Sequence, residues 1–207
     1  NKFKVLLKSC DVHICLLPLT SETINIFNKS SFEMMKHGSC FINAGRGEQV
    51  VEEDLIDLKH KYGLNYLCHN YFPPPRKPFV LNLASLDDAT FEASLNHLSN
   101  VIDLSERLGA SKFAFHAGFL IDIRVNEIGK RLTRDKLYEK DEAELRFCSA
   151  FELLKKRTEK VTLYIENNVF SGPNAITYND TNPFMLTDFT SYTSLKSKID
   201  FELLLDV

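Results

Sequence analysis

Short apolar runs alternate with amphipathic segments along this chain of 207 residues. A run of a few apolar residues, rich in β-branched or aromatic side chains and closed by a turn signal, is typical of a buried strand. The strands predicted in this way are 12–17, 40–43, 64–69, 112–116, 161–166 and 203–206. The helices predicted between them include 50–58, 91–108 and 143–154. Strands that alternate with helices indicate successive βα units, so the sequence predicts an α/β fold.

Charge and cysteine content exclude several classes of protein. The sequence has 25 Lys and Arg against 28 Asp and Glu, a net charge of −3, so no basic surface for nucleic acid is expected. It contains no apolar stretch of the ~18 residues that a membrane span requires. Its five cysteines are odd in number and form no C-x-x-C pair, which favours reduced thiols and a cytoplasmic location. The expected partner is therefore a small molecule, and the oligomeric state stays open.

The ends of the sequence suggest a fragment. The chain starts at Asn1 rather than Met, and it stops at Val207 inside the apolar run 203–207. A complete α/β barrel usually takes about 250 residues. We therefore expect part of the parent fold to lie outside this sequence.

The first motifs lie at the ends of the first two predicted strands. They read LLPLT at 16–20, FINAGRG at 41–47 and VVEEDL at 50–55. In combination these segments resemble the D-2-hydroxyacid dehydrogenases, in particular their glyoxylate/hydroxypyruvate reductase branch. The resemblance implies a short Rossmann-type β-α-β piece over residues 1–58. It also implies that Arg46 is a catalytic residue that binds the substrate carboxylate and polarises its carbonyl, and that Pro18 lies against the nicotinamide of NAD(P).

Other parts of the dehydrogenase pattern are missing. No G-x-G-x-x-G turn occurs in the sequence, and that turn is what cradles the pyrophosphate of a dinucleotide. The downstream glutamate and histidine of the family are also missing, and Gly45 stands where the family often has a different small residue. Outside the motif, Arg46 would be interpreted as a surface arginine. Hydride transfer by this chain alone is therefore not expected.

Four polar side chains close the four later strands. They are His69, His116, Glu166 and Asp206. Barrel enzymes place their chemistry at the carboxyl ends of parallel strands. Two histidines and two carboxylates match the ligands of a divalent metal of the zinc or manganese type. The alternative for each residue taken alone is a structural histidine, an exposed carboxylate or a helix cap.

The segments around these four residues resemble the xylose isomerase-like barrels, which include sugar-phosphate isomerases and epimerases and endonuclease IV-type enzymes. They read CHNYFPP at 68–74, FHAG at 115–118, IENN at 165–168 and LLD at 204–206. The resemblance implies a partial (β/α) barrel over residues 59–207 that binds a divalent metal and a sugar or sugar phosphate. Glu166 would be a metal ligand or the catalytic base. Asn70, Asn167 and Asn168 would hold substrate hydroxyls or satisfy loop backbone. The weakly acidic charge favours a sugar over DNA.

The two resemblances meet in the predicted helix between Val50 and Tyr62, without a flexible linker. The sequence thus predicts a chimera of two truncated enzymes, in which the first β-α-β piece could pair with the open edge of the incomplete barrel. The main prediction is a fragment of a metal-dependent sugar or sugar-phosphate isomerase or epimerase. The alternatives are a remnant of an NAD(P)-dependent 2-hydroxyacid reductase and an inactive fusion product.

Overall fold

The structure, a computed structural model, describes residues 2–179 and 181–206. Its strands are β1 (Val12–Cys15), β2 (Cys40–Asn43), β3 (Lys112–His116), β4 (Thr162–Glu166) and β5 (Glu202–Leu204). Its α-helices are α1 (Lys2–Ser9), α2 (Lys29–Glu33), α3 (Glu52–Tyr62), α4 (Asp88–Arg107), α5 (Lys140–Lys155), α6 (Gly172–Tyr178) and α7 (Phe189–Lys198). Two short 3-10 turns lie at Gly47–Gln49 and Val125–Glu127.

All the strand pairs in these sheets are parallel. β1 pairs with β2 in one sheet, and a second sheet has the order β3-β4-β5. The strands predicted at 40–43 and 112–116 are confirmed residue for residue. β1 ends at Cys15, before the predicted limit of Leu17, because its partner β2 ends at Asn43 directly opposite. The mixed α/β class with parallel sheets is therefore confirmed.

Capping residues explain where several helices begin and end. α3 begins with three acidic residues and ends at Gly63, whose φ of +63° lies in the left-handed region. α4 ends at Gly109, with φ of +68°, and the next N–H, that of Ala110, donates to the carbonyl of Ser105 at 2.9 Å. That bond is the six-residue closure of a Schellman motif. α7 begins with a capping box between Asp188 and Ser191.

The chain divides into two compact units, each with its own apolar core. The first comprises the chain up to Tyr66 together with Tyr71–Pro74 and Arg107–Gly109, and the second comprises the rest. Buried apolar residues of the first unit are Leu7, Phe27, Leu55 and Leu58. Buried apolar residues of the second are Phe113, Phe115, Phe147, Phe151 and Ile165. Burial of such side chains contributes about 1.5–3 kcal/mol each.

The strand predicted at 64–69 is wrong. Its side chains alternate between partly buried and exposed, but the segment belongs to no ladder in the described part of the chain. It passes from the first unit, which holds Tyr66, to the second, which holds Leu67, and a strand requires a neighbouring strand that accepts its hydrogen bonds. Within residues 2–179 and 181–206 the second sheet has three strands and closes no barrel, and β1 and β2 pair with each other rather than with its edge.

Two further findings concern sequence expectations outside the sheets. Helices α1 and α6, which the sequence pattern did not indicate, are present. Among the residues that the structure covers, no helix is both long and apolar enough to cross a membrane. Cys10, Cys15, Cys40 and Cys148 form no disulfide bond with one another.

Candidate functional site

The buried side chain of Gln49 organises the carboxyl end of the β1–β2 sheet. Its Oε1 accepts the backbone N–H of Arg46 at 2.8 Å and the Sγ–H of Cys15 at 3.3 Å. Its Nε2 donates to the carbonyls of Leu17 at 3.0 Å and Pro18 at 3.3 Å. One amide thus links the segment after β1 to the turn after β2. It brings Pro18 and Arg46, both predicted from the sequence, into the same small site.

A second amide shapes the turn that carries Arg46. Asn43, the last residue of β2, donates from Nδ2 to the Arg46 carbonyl at 2.8 Å, and its Oδ1 accepts the N–H of Gly45 at 3.1 Å. The Arg46 side chain is exposed, and its Nη1 donates to the Gly45 carbonyl at 3.2 Å. A guanidinium has five N–H donors, so this bond leaves others for an anion. The backbone of Arg46 is therefore fixed while its charged group faces solvent.

The two glycines that flank Arg46 are required by close packing. A Cβ at Gly45 would lie 2.2 Å from Oε1 of Gln49, and a Cβ at Gly47 would lie 2.4 Å from Cδ of Pro74. Both distances are shorter than any normal contact between these atoms. The departure of Gly45 from the usual dehydrogenase residue therefore has a local cause, because Gln49 occupies the space of a side chain at position 45.

The Pro18 carbonyl accepts a second hydrogen bond, from Oγ1 of Thr23 at 2.7 Å. Oγ1 of Thr23 in turn accepts the N–H of Thr20 at 2.8 Å, which closes a tight turn after β1. Pro18 was predicted from the sequence, whereas Gln49 was not. The signal that could have found Gln49 is its uniqueness, because it is the only glutamine in the sequence and lies two residues after the Arg-Gly pair.

In the second unit, His116 and Glu166 meet at the ends of neighbouring strands. They are register partners in the β3–β4 ladder, and Nδ1 of His116 lies 3.6 Å from Oε2 of Glu166. The side chains are 40% and 22% exposed, so the pair is open to solvent on one side. The structure therefore brings together two of the four predicted metal ligands.

The other two predicted ligands lie in irregular segments. The pKa of His69 is lowered, first because neighbouring protein atoms displace water from its ring and second because His116 repels its positive charge, while Glu166 acts in the opposite direction. These two effects indicate that His69 lies near the pair. Asp206 follows β5, and its backbone forms two hydrogen bonds with the side chain of Asn167, at 2.6 and 3.0 Å.

The three asparagines of these motifs differ in role. Asn167 holds the backbone of Asp206, and Asn168 donates from Nδ2 to the carbonyls of Ala117 and Met185, so both satisfy loop backbone. Asn70 is buried, and its Oδ1 has no hydrogen-bond partner among the described residues. The backbone alternative of the sequence analysis thus holds for Asn167 and Asn168.

The predicted ligands do not form a metal centre as they are arranged here. Across residues 2–179 and 181–206, no three side chains of His, Cys, Asp or Glu gather closely enough to hold a metal ion. His116 and Glu166 are paired, but one histidine and one carboxylate are fewer donors than a zinc ion takes from a protein. The metal set His69, His116, Glu166 and Asp206 stays a prediction.

Comparison with known proteins separates the two resemblances. Residues 1–78 match the family model of the NAD binding domain of D-isomer specific 2-hydroxyacid dehydrogenases. The first part of this chain is similar to that domain. Glyoxylate/hydroxypyruvate reductase B from Enterobacter sp. (strain 638) is 32% identical over 111 residues, which cover 49% of this chain and 34% of the reductase. The putative 2-hydroxyacid dehydrogenase YoaD of Bacillus subtilis (strain 168) is 30% identical over 106 residues, covering 46% of this chain and 31% of that protein.

The chain spans about a third of the length of the curated relatives it matches. The family match also extends past residue 58, so the boundary between 1–58 and 59–207 stays a prediction. Among solved structures, 3-keto-D-glucoside 4-epimerase from E. coli gives a TM-score of 0.52 at 10% identity, covering 95% of this chain and 67% of the epimerase. At that identity the likeness concerns the fold alone. The similarities to a dehydrogenase in sequence and to a sugar epimerase in fold agree with the predicted chimera.

Proposed function

We propose that this chain carries the substrate-carboxylate site of an NAD(P)-dependent 2-hydroxyacid reductase, in which Arg46 binds a small 2-oxo acid such as glyoxylate or hydroxypyruvate. The observation that carries the proposal is the exposed Arg46 guanidinium on a backbone that Gln49 and Asn43 hold beside Pro18. The sequence similarity of residues 1–78 to the dehydrogenase domain supports it.

The chemistry of Arg46 suits this substrate class. A planar guanidinium forms paired hydrogen bonds with a carboxylate, and it keeps its positive charge at every physiological pH. The same charge stabilises negative charge that develops on the neighbouring carbonyl oxygen. Arg46 would therefore orient the acid and polarise the carbon that is to be reduced.

The residues present do not fit the pyrophosphate of a dinucleotide. The segment that follows β1 has no glycine from residue 16 to residue 37, and the turn after β2 has only Gly45 and Gly47. Close approach of backbone to pyrophosphate requires a glycine-rich turn at a helix start. We therefore derive no hydride step from this chain, and the position of Pro18 beside a nicotinamide stays a prediction.

Amide NMR tests the carboxylate site. We expect glyoxylate to shift the backbone resonances of Gly45, Arg46 and Gly47, and Arg46→Gln to abolish these shifts because the side chain loses its charge. Arg124→Gln is the matched control, since Arg124 is an exposed arginine of the second unit and its loss leaves the response unchanged. An equal response of the wild type and Arg46→Gln would contradict the proposal.

The second unit favours a second candidate, a sugar or sugar-phosphate isomerase or epimerase site in a partial xylose isomerase-like barrel. The observation behind it is the His116–Glu166 pair at the carboxyl ends of β3 and β4, where parallel-sheet enzymes place their chemistry. Glu166 would remove a proton from a carbon next to a carbonyl, as a general base. His69 and Asp206 would complete a divalent metal site only after side-chain rearrangement, so no step is derived through a metal.

Calorimetric titration with Zn²⁺ and Mn²⁺ tests this candidate. We expect one ion to bind, and His116→Ala to weaken its affinity at least about tenfold through the loss of a ligand. His60→Ala is the control, because His60 is exposed on α3 in the first unit. Equal affinities of the wild type and His116→Ala would contradict the metal site. If glyoxylate also fails to bind, the inactive fusion product is the remaining alternative.

A further inference from the structure

Gln49 uses the complete hydrogen-bonding capacity of its amide inside the first unit. Its oxygen accepts from Arg46 and Cys15, and its two N–H groups donate to Leu17 and Pro18. The side chain is fully buried. A primary amide offers two donors and one oxygen with two lone pairs, so no group is left over.

These hydrogen bonds lie just beyond the end of the ladder between β1 and β2. β1 ends at Cys15 and β2 ends at Asn43, and the Ala44 N–H still donates to the Cys15 carbonyl at 3.1 Å. The Leu17 and Pro18 carbonyls and the Arg46 N–H lie beyond this ladder. Buried backbone groups without hydrogen-bond partners reduce the stability of the fold. The Gln49 amide donates to two carbonyls after β1 and accepts one N–H after β2. A glutamate at this position would accept the Arg46 N–H but, when ionised, would have no hydrogen to donate.

We infer that Gln49 is a positioning residue for the Arg46 carboxylate site, and that Gly45 is present because the Gln49 amide fills the space of a side chain there. The 2.2 Å separation between a Cβ at residue 45 and Oε1 of Gln49 ties the two residues together, and the Leu17 carbonyl would lie only 3.2 Å from the same Cβ. The substrate part of this inference rests on the proposed function. The packing part does not.

The first experiment measures glyoxylate affinity by NMR in the complete chain. Gln49→Leu is expected to weaken binding at least about tenfold, because the Arg46 N–H and the Pro18 carbonyl lose their shared partner. Asn174→Ala is the matched control, since it removes another buried amide, one that accepts the Leu132 N–H in the second unit. It should lower stability and leave the affinity for glyoxylate unchanged.

Gln49→Glu should give the binding of glyoxylate a pH dependence that a purely packing role of Gln49 would not produce. Binding should be weak at neutral pH and should recover as the pH falls, because a protonated carboxyl again offers a donor together with an acceptor. Since Gln49 is the only glutamine, selective labelling gives a single side-chain NH₂ signal, and glyoxylate should shift that signal in the wild type. Wild-type affinity in Gln49→Leu, or no recovery of Gln49→Glu in acid, would overturn the positioning role.

The second experiment measures packing without ligand. Gly45→Ala should raise the unfolding equilibrium constant about fivefold or more when Gln49 is present, and far less in a Gln49→Ala background, because the shorter side chain leaves space for the new methyl group. Additive effects would overturn the link between Gly45 and Gln49. If glyoxylate binds to no variant, the proposed function fails, and this cycle still decides whether Gln49 determines the need for Gly45.

Discussion

The pKa of His69 depends on the charged side chains at the ends of β3 and β4. Its pKa lies below the ordinary 6.5 because loss of water and the charge of His116 both disfavour the protonated ring, against the attraction of Glu166. The folded protein therefore binds fewer protons at His69 than the unfolded chain does. Stability is lost as the pH falls through the region of 6.5 and regained above it.

Two substitutions test this arrangement by NMR titration of the His69 ring. His116→Ala should raise the pKa of His69, because it removes a repelling positive charge. Glu166→Gln should lower it further, because it removes the attracting carboxylate. His60→Ala should have no effect, since His60 lies in the other unit. A pKa of His69 that does not respond to either of the first two changes would show that the three side chains are not neighbours.

Single residues also show where sequence reasoning succeeds and where it stops. Arg46 and Pro18 were recognised because each lies in a motif of consecutive residues. Gln49 was missed because its partners Leu17 and Pro18 are about thirty residues away along the chain, and no local pattern records a hydrogen bond over that distance. Its role appears only when β1 and β2 lie side by side.

At the scale of elements, the end of α4 depends on backbone conformation. Gly109 adopts a φ of +68°, and the Ala110 N–H closes the helix on the Ser105 carbonyl. Residues with a Cβ adopt this left-handed region at a cost, whereas glycine does not. The helix end therefore depends on Gly109 itself.

Gly109→Ala should reduce the free energy of unfolding by about 1–2 kcal/mol, because the new methyl group strains a left-handed residue. Gly172→Ala is the control. Gly172 opens α6 without a positive φ, and a Cβ there would meet no atom within 4 Å. Chemical denaturation of the two variants measures the difference. Equal losses for both would contradict the strain at Gly109.

The failure of the strand prediction at 64–69 has a different physical origin. Apolar alternation describes a segment with one partly buried face, and the side chains of 64–69 do alternate between partly buried and exposed. A strand also needs a partner at hydrogen-bonding distance, and partners are set by the fold rather than by the segment itself. Short apolar runs therefore predict which side chains of a segment are partly buried better than they predict which segments pair.

At the scale of the whole molecule, β5 is an edge of the second sheet that pairs with no further strand within residues 2–179 and 181–206. β5 is the last strand of the order β3-β4-β5, and its Leu204 is 41% exposed. Unpaired strand edges with apolar side chains favour association with other chains. We therefore expect self-association through β5 as the protein concentration rises.

Leu204→Lys should raise the concentration at which the protein associates at least about twofold, because a lysine on an edge strand disfavours edge-to-edge pairing. Leu153→Lys is the control: Leu153 is more exposed, at 57%, but lies on α5 rather than on a strand. Light scattering across a concentration series measures both. An equal improvement in both variants would indicate a general effect of charge instead of an edge effect.

The sequence by itself determined the features that depend on neighbouring residues. These include the α/β class, the strands 40–43 and 112–116 and the two family resemblances. Only the tertiary structure decided which strands pair, that 64–69 joins no ladder in the described part of the chain, and that Gln49 joins Pro18 to Arg46. The physical reason is range: propensity, capping and motif chemistry act within a few residues, whereas ladders and buried hydrogen bonds join groups that only folding brings together.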